Sequence, residues 1–506
     1  MSALFLKILL LLLSTLFSLF VWVFVLPKVV YRRSLPGPRP SLIWGNTLEF
    51  ARNVGRAPRV FHRFRDIYGR CYQVWFFYHR IAVLSDVEDV KFIAQTVNAP
   101  KATAFKRTLT VFGGRGLLIV DEKLHPTRRR VIAKHMHGDF MRHLHEHIRA
   151  QAAIWAKKLR EAATRDEPLD LDKTATALTL DVICSAGFGR SANAQADLNE
   201  ELPQAIARTM FELGRNVALY PFRNMFGWYL NPPLRAACDV IQRFALDAWH
   251  TRLTEPPEAR QARPMDLLDV FLDAVGEGVK FDVLSEVVTF MLAGHETTAH
   301  SIAWTVYEVA QRPEVQQQIQ AEVDALYGER TEFLLPFEDV ARLEYLGRVW
   351  KEALRLHPVA ATGTYRELPH DVQLPGTGYV LERGTKVLMP PYVLHRDPEY
   401  WPEPEAFRPE RFTREAIAQR HPFAYQAFSS GPRNCIGQAV ATHEAMALLG
   451  ALYRHYRVQL ACAPSDVAEF HDLTLKPQLV IGPRRQPHPG AGLPLRLSAR
   501  SEVVRA

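Results

Sequence analysis

The chain has 506 residues, 48% of them hydrophobic and 23% charged, which excludes an intrinsically disordered protein. Its net charge of +8 suits an anionic membrane or an acidic protein partner. Nucleic acid is disfavoured, because no dense Lys/Arg run occurs beyond the short HPTRRR at 125–130. The five cysteines are scattered and form no C-x-x-C pair, which argues against a disulfide framework and favours a reducing compartment.

The N-terminal segment ILLLLLSTLFSLFVWVFVL (8–26) carries no charge. At about 1.5 Å per helical residue it is long enough to cross a bilayer. Pro27 is expected to end the helix, and the basic cluster that follows favours a cytoplasmic location for the rest of the chain. A cleaved signal peptide is the alternative, but it usually has a shorter apolar core, and no A-x-A-like site is present. We predict a retained anchor over residues 1–31.

The next segments predict a linker and then a small sheet. Residues 32–50 contain SLPGPRPSLIWGN and are expected to form a semi-rigid, proline-rich linker. The aromatic and β-branched run at 71–85 predicts two short strands. From about 120 to 360 the pattern is mostly helical, with an exposed loop expected at 254–264.

The second half of the chain predicts a central helix and a further β region. Residues 282–311 form an apolar helical run of the kind that crosses the middle of a large core. Turns and short strand signals alternate over 361–400, and another helix runs from Cys435 to about residue 456. The tail over 484–506 is rich in Arg, Pro and Gly and is expected to be flexible.

The segment FSSGPRNCIG places Cys435 between Gly431 and Gly437, with Arg433 two residues before it. A helix N-terminus or a metal lowers the pKa of a thiol. Glycines permit close approach to a flat partner, and an arginine can neutralise a carboxylate on it. A buried structural cysteine is the alternative. The spacing F-x-x-G-x-R-x-C-x-G, which begins at Phe428, resembles the haem-binding loop of the cytochrome P-450 family. The resemblance implies that Cys435 is the axial ligand of the iron of haem b and that the other four residues surround the haem.

The central helical run contains AGHETT at 293–298. Gly294 costs roughly 1 kcal/mol in a helix relative to Ala, and the hydroxyls of Thr297 and Thr298 compete for backbone carbonyls, so a local opening of the helix is expected. The segment resembles the oxygen-binding segment of the same family, which implies that Glu296 and Thr297 are catalytic and pass protons during dioxygen activation. A helix-packing glycine with two satisfied threonines is the alternative.

A charged triad is implied by EALR and FRPERF. In the family, residues at the positions of Glu352, Arg355 and Arg411 form a buried triad behind the haem. Their order and approximate spacing match here, so we expect a structural role for all three. An exposed ion pair between residues three apart on a helix is the common alternative.

Three further positions are implied as partners of the haem propionates. His125 stands where the family commonly has tryptophan, and Arg129 follows it four residues later. Arg366, in YREL, lies where the family often places another propionate partner. The alternatives are a solvated basic helix for the first two residues and an exposed strand arginine for Arg366.

The resemblance runs from the anchor to about residue 480. It implies a mainly α cytochrome P-450 fold with a small β region, preceded by one transmembrane helix, with a haem-binding monooxygenase domain over 51–483. The implied reaction inserts one oxygen atom from O2 into an apolar substrate. The implied location is the endoplasmic reticulum membrane, single-pass, with the catalytic domain in the cytoplasm, as in microsomal members from eukaryotes.

Electrons must come from another protein, because the chain shows no nicotinamide or flavin site. The expected partner is an NADPH-cytochrome reductase, with cytochrome b5 as a further candidate, docked on a basic face near Cys435. Two alternatives are a haem-thiolate isomerase or dehydratase that does not use O2 and a non-catalytic haem-binding membrane protein. The acid–threonine pair Glu296–Thr297 argues against both.

The substrate pocket is implied by family position alone. Phe105, Phe112, Val359 and Ala360 are expected to line an apolar cavity. Fatty acids, sterols and other terpenoids, or xenobiotics all suit such a cavity, with a weak preference for fatty acids or sterols.

Overall fold

The computed structural model describes residues 2–30, 34–103, 105–107, 114–197, 200–218, 231–481, 486–487 and 492–500. Helices predominate within these residues, and the strands are confined to small sheets. The mainly α fold with a small β region is therefore confirmed.

The α-helices of the described residues are α1 Ser2–Phe20, α2 Leu26–Val30, α3 Thr47–Arg52, α4 Ala57–Tyr68, α5 Val87–Lys91, α6 His125–His135, α7 Asp139–Arg165, α8 Leu171–Phe188, α9 Glu201–Ala218, α10 Pro232–Thr254, α11 Pro257–Gln261, α12 Leu267–Gly276, α13 Val283–Gly294, α14 Glu296–Ala310, α15 Pro313–Tyr327, α16 Phe337–Val340, α17 Glu344–Leu356, α18 Pro391–Leu394, α19 Arg414–Gln419 and α20 Gln438–His455. Short 3-10 turns occur at Pro409–Phe412, Pro422–Ala424, Gly431–Arg433 and Pro464–Asp466, and π turns at Val21–Val25 and Phe92–Thr96.

The strands are β1 Cys71–Phe76, β2 His79–Leu84, β3 Leu169–Asp170, β4 Tyr365–Glu367, β5 Val372–Gln373, β6 Val380–Leu381, β7 Lys386–Leu388, β8 Tyr456–Leu460, β9 Val467–His471, β10 Leu475–Ile481, β11 Gln486–Pro487 and β12 Pro494–Ala499. The largest sheet has the order β1-β2-β7-β4, in which only β2 and β7 are parallel. The other sheets are β11-β10-β9, β3-β12-β8 and β5-β6, all antiparallel. The predicted strand pair over 71–85 is the β1–β2 hairpin.

One helical segment of the described residues, Lys7–Val30, is long and apolar enough to cross a membrane. The prediction that Pro27 ends this helix is wrong, because the helix continues to Val30. A π turn directly before the proline lets the Leu26 N–H donate to the Val21 carbonyl. This shift in pairing accommodates a residue that has no N–H of its own.

The proline-rich linker expected over 32–50 packs onto β1. The Gln73 side chain donates to the Leu35 carbonyl over 2.8 Å, and the Asn46 N–H donates to the Trp75 carbonyl over 2.6 Å. β1 is the edge strand of its sheet and thus supplies partners for the backbone groups of the linker, as buried backbone groups require.

Two segments expected to lack regular structure are ordered. The loop over 254–264 contains α11, which has a proline in its first turn, where the missing N–H costs nothing. The prediction of a flexible tail over 484–506 does not hold for Pro494–Ala499. These residues form β12, which lies between β3 and β8 and is hydrogen-bonded to both.

Helix α14 lies at the centre of the core. It packs against α8, α17, α20 and β10, and almost all of its side chains are buried. Trp304 of α14 and Trp350 of α17 are among the largest fully buried side chains. An apolar helix of this kind is stable only inside a large core, and here it contacts both β10 and α20, the helix that follows the cysteine-bearing loop.

Candidate active site

Cys435 lies in a loop between the Gly431–Arg433 turn and the start of α20. Its N–H donates to the Phe428 carbonyl over 2.9 Å, which closes the loop. The ring of Phe428 packs against that of Trp350 at a centroid distance of 5.8 Å. The loop is therefore fixed both by its own backbone and by contact with α17.

Gly431 is required by the backbone of the loop. Its φ of 72° is unfavourable for other residues, and a Cβ there would lie 2.4 Å from the Ala94 carbonyl oxygen. At Gly437 a Cβ would lie 3.8 Å from the Cys435 sulfur, an ordinary contact. The close approach made by Gly431 is thus to protein backbone, whereas Gly437 lies beside the thiol.

The side chain of Cys435 is the exposed one among the five cysteines. Burial nevertheless raises the pKa of the thiol, against the lowering effects of the Gly437 N–H and of Arg129. The cysteine thus has accessible surface although protein surrounds most of its thiol. The lowered pKa expected from a helix N-terminus is not found, because α20 begins three residues later and desolvation dominates. A metal cation at the sulfur would stabilise the thiolate.

Arg129 bonds to the cysteine loop itself. One Nη donates to the Asn434 carbonyl over 2.7 Å and the other donates to the Asn434 side chain. This arginine therefore holds the loop to α6, and its positive charge lies close enough to affect Cys435. Asn434 had no signal in the sequence beyond its place in the loop.

Arg366 and Arg433 are buried cations whose hydrogen-bonding capacity is only partly used. The side chain of Arg433 is 5% exposed and donates to the Val120 carbonyl and to Glu122, each over 3.3 Å, while its Nη1 has no partner among the described residues. Arg366 is 1% exposed and donates from Nη1 to the Ala99 carbonyl over 3.0 Å. Its Nε and Nη2 find no partner in the described part of the chain.

Lys101 and His125 complete this basic cluster. A β-bridge places Lys101 beside Arg366, and Lys101 is also buried. Burial, and then repulsion from Arg366 and Arg433, hold the pKa of Lys101 well below its usual value. Burial and the nearby cations lower the pKa of His125 to about 3. The sequence did not reveal Lys101, since its role depends on pairing with a strand far along the chain.

The predicted central helix over 282–311 is interrupted at His295, which separates α13 from α14. The Nδ1 of His295 bonds to the Met291 carbonyl over 2.8 Å, in place of a backbone bond. Thr179 of α8 donates to the His295 carbonyl over 3.0 Å. The helix therefore opens next to Gly294, where the sequence predicted an opening, and side-chain bonds stabilise the opened turn.

Glu296 and Thr297 begin α14 directly after this opening. The hydroxyl of Thr297 donates to the Ala293 carbonyl over 2.8 Å. Glu296 is buried and accepts a hydrogen bond from Thr474 over 2.9 Å. Burial raises the pKa of Glu296 to about 7, against the lowering effect of Lys476. A carboxyl group with this pKa can take up and release protons at neutral pH.

The structure brings Glu352, Arg355 and Arg411 together. Arg355 forms a bidentate pair with Glu352, with both N–O distances at 2.8 Å, and both side chains are fully buried. Arg411 Nε lies 3.3 Å from the same carboxylate. The exposed ion pair weighed as an alternative does not describe these residues.

The predicted pocket residues are placed only in part. Phe105 packs on an apolar cluster with Ile119 and Leu213, and its ring contacts that of Tyr365. The remaining positions differ: Val359 is buried, Ala360 is exposed, and Phe112 lies outside the described residues.

These features fit haem b. Among the described residues no group of three or more His, Cys, Asp or Glu could hold a metal ion. A metal bound here by one cysteine must therefore bring most of its ligands with it, as iron in a porphyrin does. The propionates of haem are carboxylates, which would satisfy the free N–H groups of Arg366 and Arg433 and offset the repulsion within the basic cluster.

Comparison with known proteins agrees with this site. The family model described as Cytochrome P450 matches residues 35–481. Cytochrome P450 4d2 of Drosophila melanogaster is 32% identical over 84% of this chain and 88% of its own length. Cytochrome P450 4V2 of Mus musculus is 31% identical over 78% of each chain, and cytochrome P450 4F11 of Homo sapiens is 31% identical over 72% of each. The chain therefore belongs to the cytochrome P450 family and is a haem-thiolate monooxygenase that binds haem b.

Proposed function

We propose that Cys435 would supply a thiolate ligand to the haem iron and that Arg366, Arg433 and Lys101 would bind the haem propionates. The observation that carries this proposal is the pair of arginines with buried side chains and N–H groups that find no partner among the described residues, since a buried cation of this kind requires an anionic partner. His125 lies within the same cluster and can donate a hydrogen bond to a carboxylate while neutral.

Arg129 has a different role from the one implied by the family. Its guanidinium donates two hydrogen bonds to Asn434, so we propose that Arg129 holds the cysteine loop and does not bind a propionate. Phe428 supports the loop from the α17 side, and Glu352, Arg355 and Arg411 fix α17 to the segment over 402–411. These residues act by keeping the thiol in place.

When bound, haem iron with a thiolate ligand would supply the oxidising chemistry, by which one oxygen atom of O2 would enter a C–H bond and the other would leave as water. The balanced reaction is RH + O2 + NADPH + H⁺ → ROH + H2O + NADP⁺. The protein must therefore deliver protons to a buried site. Glu296 and Thr297 suit this task, because both lie at the opened turn of the central helix and each carries an exchangeable proton.

The substrate is proposed to be an apolar molecule. Phe105 and Leu473 pack against a cluster that contains Ile119, Leu213 and Leu234, and an apolar surface of this kind suits a lipid-like ligand. Fatty acids and sterols or other terpenoids are the leading candidates, and xenobiotics share the same chemistry.

We further propose a single-pass location in the endoplasmic reticulum membrane, with residues 1–31 as the anchor and 51–483 as the cytoplasmic catalytic domain. The apolar Lys7–Val30 segment and the basic residues after it support this placement. A separate NADPH-cytochrome reductase, with cytochrome b5 as a second candidate, would then supply electrons from the same membrane surface.

The proposed site is tested by the carbon monoxide difference spectrum of the reduced protein. The thiolate-type spectrum should appear in the parent protein and in Cys462→Ala, which removes a partly buried cysteine elsewhere. It should be lost in Cys435→Ala. Retention of the thiolate-type spectrum in Cys435→Ala would overturn the axial assignment. A panel of fatty acids, sterols and xenobiotics, scored by the spectral shift on binding, then identifies the substrate class.

The reductase docking surface is tested by charge reversal on α6. Arg130 and Lys134 are exposed on the helix that also bonds to the cysteine loop through Arg129. Arg130→Glu and Lys134→Glu should slow the first reduction by the reductase, and the effect should weaken at high salt. Lys157→Glu, at an exposed position on α7, is the control. Equal reduction rates in all three variants would refute docking on this face.

A further inference from the structure

The carboxyl group of Glu296 is directed at the turn that precedes β10. Thr474 in this turn is buried and donates from its hydroxyl to Glu296 Oε2 over 2.9 Å. The bond joins residues that are 178 positions apart in the chain. Glu296 therefore interacts with a polar group outside the helix that carries it.

Thr474 is held rigidly in relation to α14. The carbonyl of the next residue, Leu475, accepts a hydrogen bond from Trp304 Nε1 over 3.0 Å, and Trp304 lies on the same helix as Glu296. The Leu475 N–H donates to the Val359 carbonyl over 2.8 Å. The two backbone bonds of Leu475 thus fix the start of β10 against α14 and against the segment after α17, and with it the position of the Thr474 hydroxyl.

The same turn leads from Glu296 toward solvent. Asp472 accepts from the N–H groups of Leu473 and Thr474 over 2.6 and 3.2 Å, and its other oxygen lies 2.8 Å from Lys476 Nζ. The side chain of Asp472 is buried, whereas that of Lys476 is 26% exposed. Lys476 is therefore the point at which this polar group of residues reaches the surface.

Two further ionisable groups face the same region. Asp172 of α8 and His300 of α14 are both buried, with 3.5 Å between His300 Nε2 and the Asp172 carboxylate. Burial raises the pKa of Asp172 well above its usual value, and burial followed by repulsion from Lys476 lowers the pKa of His300 to about 3. The charges that act on the pKa of Glu296 are those of Lys476, which lowers it, and Asp472, which raises it.

We propose that Thr474 and Lys476 are positioning residues for Glu296: Thr474 orients the carboxyl group, and Lys476, paired with Asp472 in the same turn, supplies a nearby positive charge and connects the carboxyl group to solvent. The inference rests on the catalytic role proposed for Glu296. It assigns a task to residues of the β10 turn, which had no role in the sequence analysis.

Opposing effects on Glu296 explain why the positive charge is needed. Burial alone would keep the carboxyl group protonated, and a group that never ionises cannot accept a new proton from solvent. Lys476 counteracts burial by attraction, and the hydrogen bond from Thr474 acts in the same direction. Burial lowers the pKa of Lys476, but the carboxylates of Asp472 and Glu296 outweigh burial and raise the pKa, so the lysine stays charged.

The test measures the ionisation of Glu296 directly in the haem-loaded protein. Infrared absorption of the protonated carboxyl group is followed against pH, with Glu296→Gln used to identify the band. Lys476→Met should shift the titration upward by about one pH unit or more, the order expected when a nearby opposite charge is removed. Thr474→Val should shift it upward by less. Lys476→Arg and Thr474→Ser, which keep the charge and the hydroxyl, should titrate like the parent protein.

Matched controls separate this effect from general damage to the fold. Lys158→Met removes a lysine of intermediate exposure on α7, and Thr305→Val removes a buried hydroxyl that bonds within α14. Both should leave the titration unchanged. If Lys476→Met does not fold, Lys476→Gln provides the same loss of charge with a polar side chain.

A second measurement follows the consequence for turnover. Lys476→Met and Thr474→Val should release more peroxide per molecule of product and should shift the pH profile of turnover, with unchanged substrate-induced spectra. Titration curves and peroxide yields equal to those of the controls would overturn the positioning role. Absence of the thiolate-type carbon monoxide spectrum in the parent protein would instead refute the proposed function, so the two failures are distinguishable.

Discussion

Arg355 holds Glu352 in a bidentate ion pair from which solvent is fully excluded. The remaining donors of Arg355 bond to the carbonyls of His395, Pro404 and Ala406. One guanidinium thus joins α17 to the irregular segment that leads toward the cysteine loop. Because every donor is used, neither lysine nor glutamine at this position reproduces the arrangement.

We predict that Arg355→Leu destabilises the protein by about 3–5 kcal/mol, because the Glu352 carboxylate would remain buried without its main partner. The measurement is urea unfolding of the detergent-solubilised protein, together with its haem content. Arg414→Leu is the control, since Arg414 forms an exposed ion pair with Glu344 at 3.6 Å, for which about 0–1 kcal/mol is expected. Equal losses in the two variants would contradict the role assigned to the buried pair.

Local motifs were sufficient to predict some of the short-range geometry around the candidate site. The spacing around Cys435 predicts the loop, and EALR predicts a pair of residues one helical turn apart, because these relationships depend on a few consecutive residues. Gly294 and the threonines after it likewise predict the opening of the central helix, which occurs at His295. The residues that form such short-range geometry are neighbours in the sequence, so the local sequence pattern is enough to predict it.

Partners contributed by distant segments were not predictable in the same way. Lys101 reaches Arg366 through a β-bridge, and Glu296 meets Thr474 only after β10 has packed against α14. The acceptor of Arg129 also depends on tertiary packing. The sequence analysis assigned this arginine to a propionate, but in the structure it donates a hydrogen bond to Asn434. Such contacts follow from the assembled fold and have no pattern in the local sequence.

A second kind of failure arose where a local rule was outweighed by its surroundings. Pro27 should end a helix, but the π turn before it shifts the hydrogen bonds and the helix continues. The composition of the tail predicts flexibility, but the free edges of β3 and β8 provide partners for Pro494–Ala499. In both cases hydrogen-bonding partners decide the outcome.

His357 predicts a pH dependence of stability. It is buried between Glu308 and Glu469, with N–O distances of 2.7 and 2.9 Å, and its ring stacks on Trp304. Burial lowers the pKa of His357, but the hydrogen bonds to the two carboxylates outweigh burial and raise the pKa above the ordinary 6.5. Because the folded state binds this proton more tightly, the contribution of His357 is complete below about pH 6.5 and is lost as pH rises through the folded pKa.

His357→Gln should therefore destabilise the protein more at about pH 6 than at about pH 9. The two carboxylates act in the opposite direction, because their pKa values lie below the ordinary 4.5 and their contribution is lost on acidification. Thermal unfolding midpoints of the parent and the variant at both pH values provide the measurement. His250→Gln, at an exposed position, is the control and should show the same difference from the parent at both pH values.

Gly431→Ala should disrupt the cysteine loop, since a Cβ there meets the Ala94 carbonyl at 2.4 Å in addition to the unfavourable φ. Gly69→Ala is the matched control, because Gly69 also has a positive φ of 89° but no atom lies within 4 Å of its Cβ position. The control should lose about 1–2 kcal/mol of stability and retain its haem. Gly431→Ala should lose more stability and should also show a reduced haem content. Similar behaviour of the two variants would mean that the contact with Ala94 relaxes without cost.

Arg366→Leu should affect haem binding and apoprotein stability in opposite directions. In the haem-loaded protein it removes charged donors to a propionate, worth about 1.5–3 kcal/mol, so haem transfer to an acceptor protein should be about tenfold faster or more. In the apoprotein it removes a buried cation near Lys101 and Arg433, and burial with repulsion from Arg433 already lowers the pKa of Arg366 to about 10. The apoprotein should therefore unfold at the same or a higher urea concentration than the parent.

Arg496→Leu, at a more exposed position on β12, is the control and should change neither the rate of haem transfer nor the stability of the apoprotein. A variant of Arg366 that lost apoprotein stability but kept its haem as firmly as the parent would show that this arginine supports the sheet and does not bind a propionate.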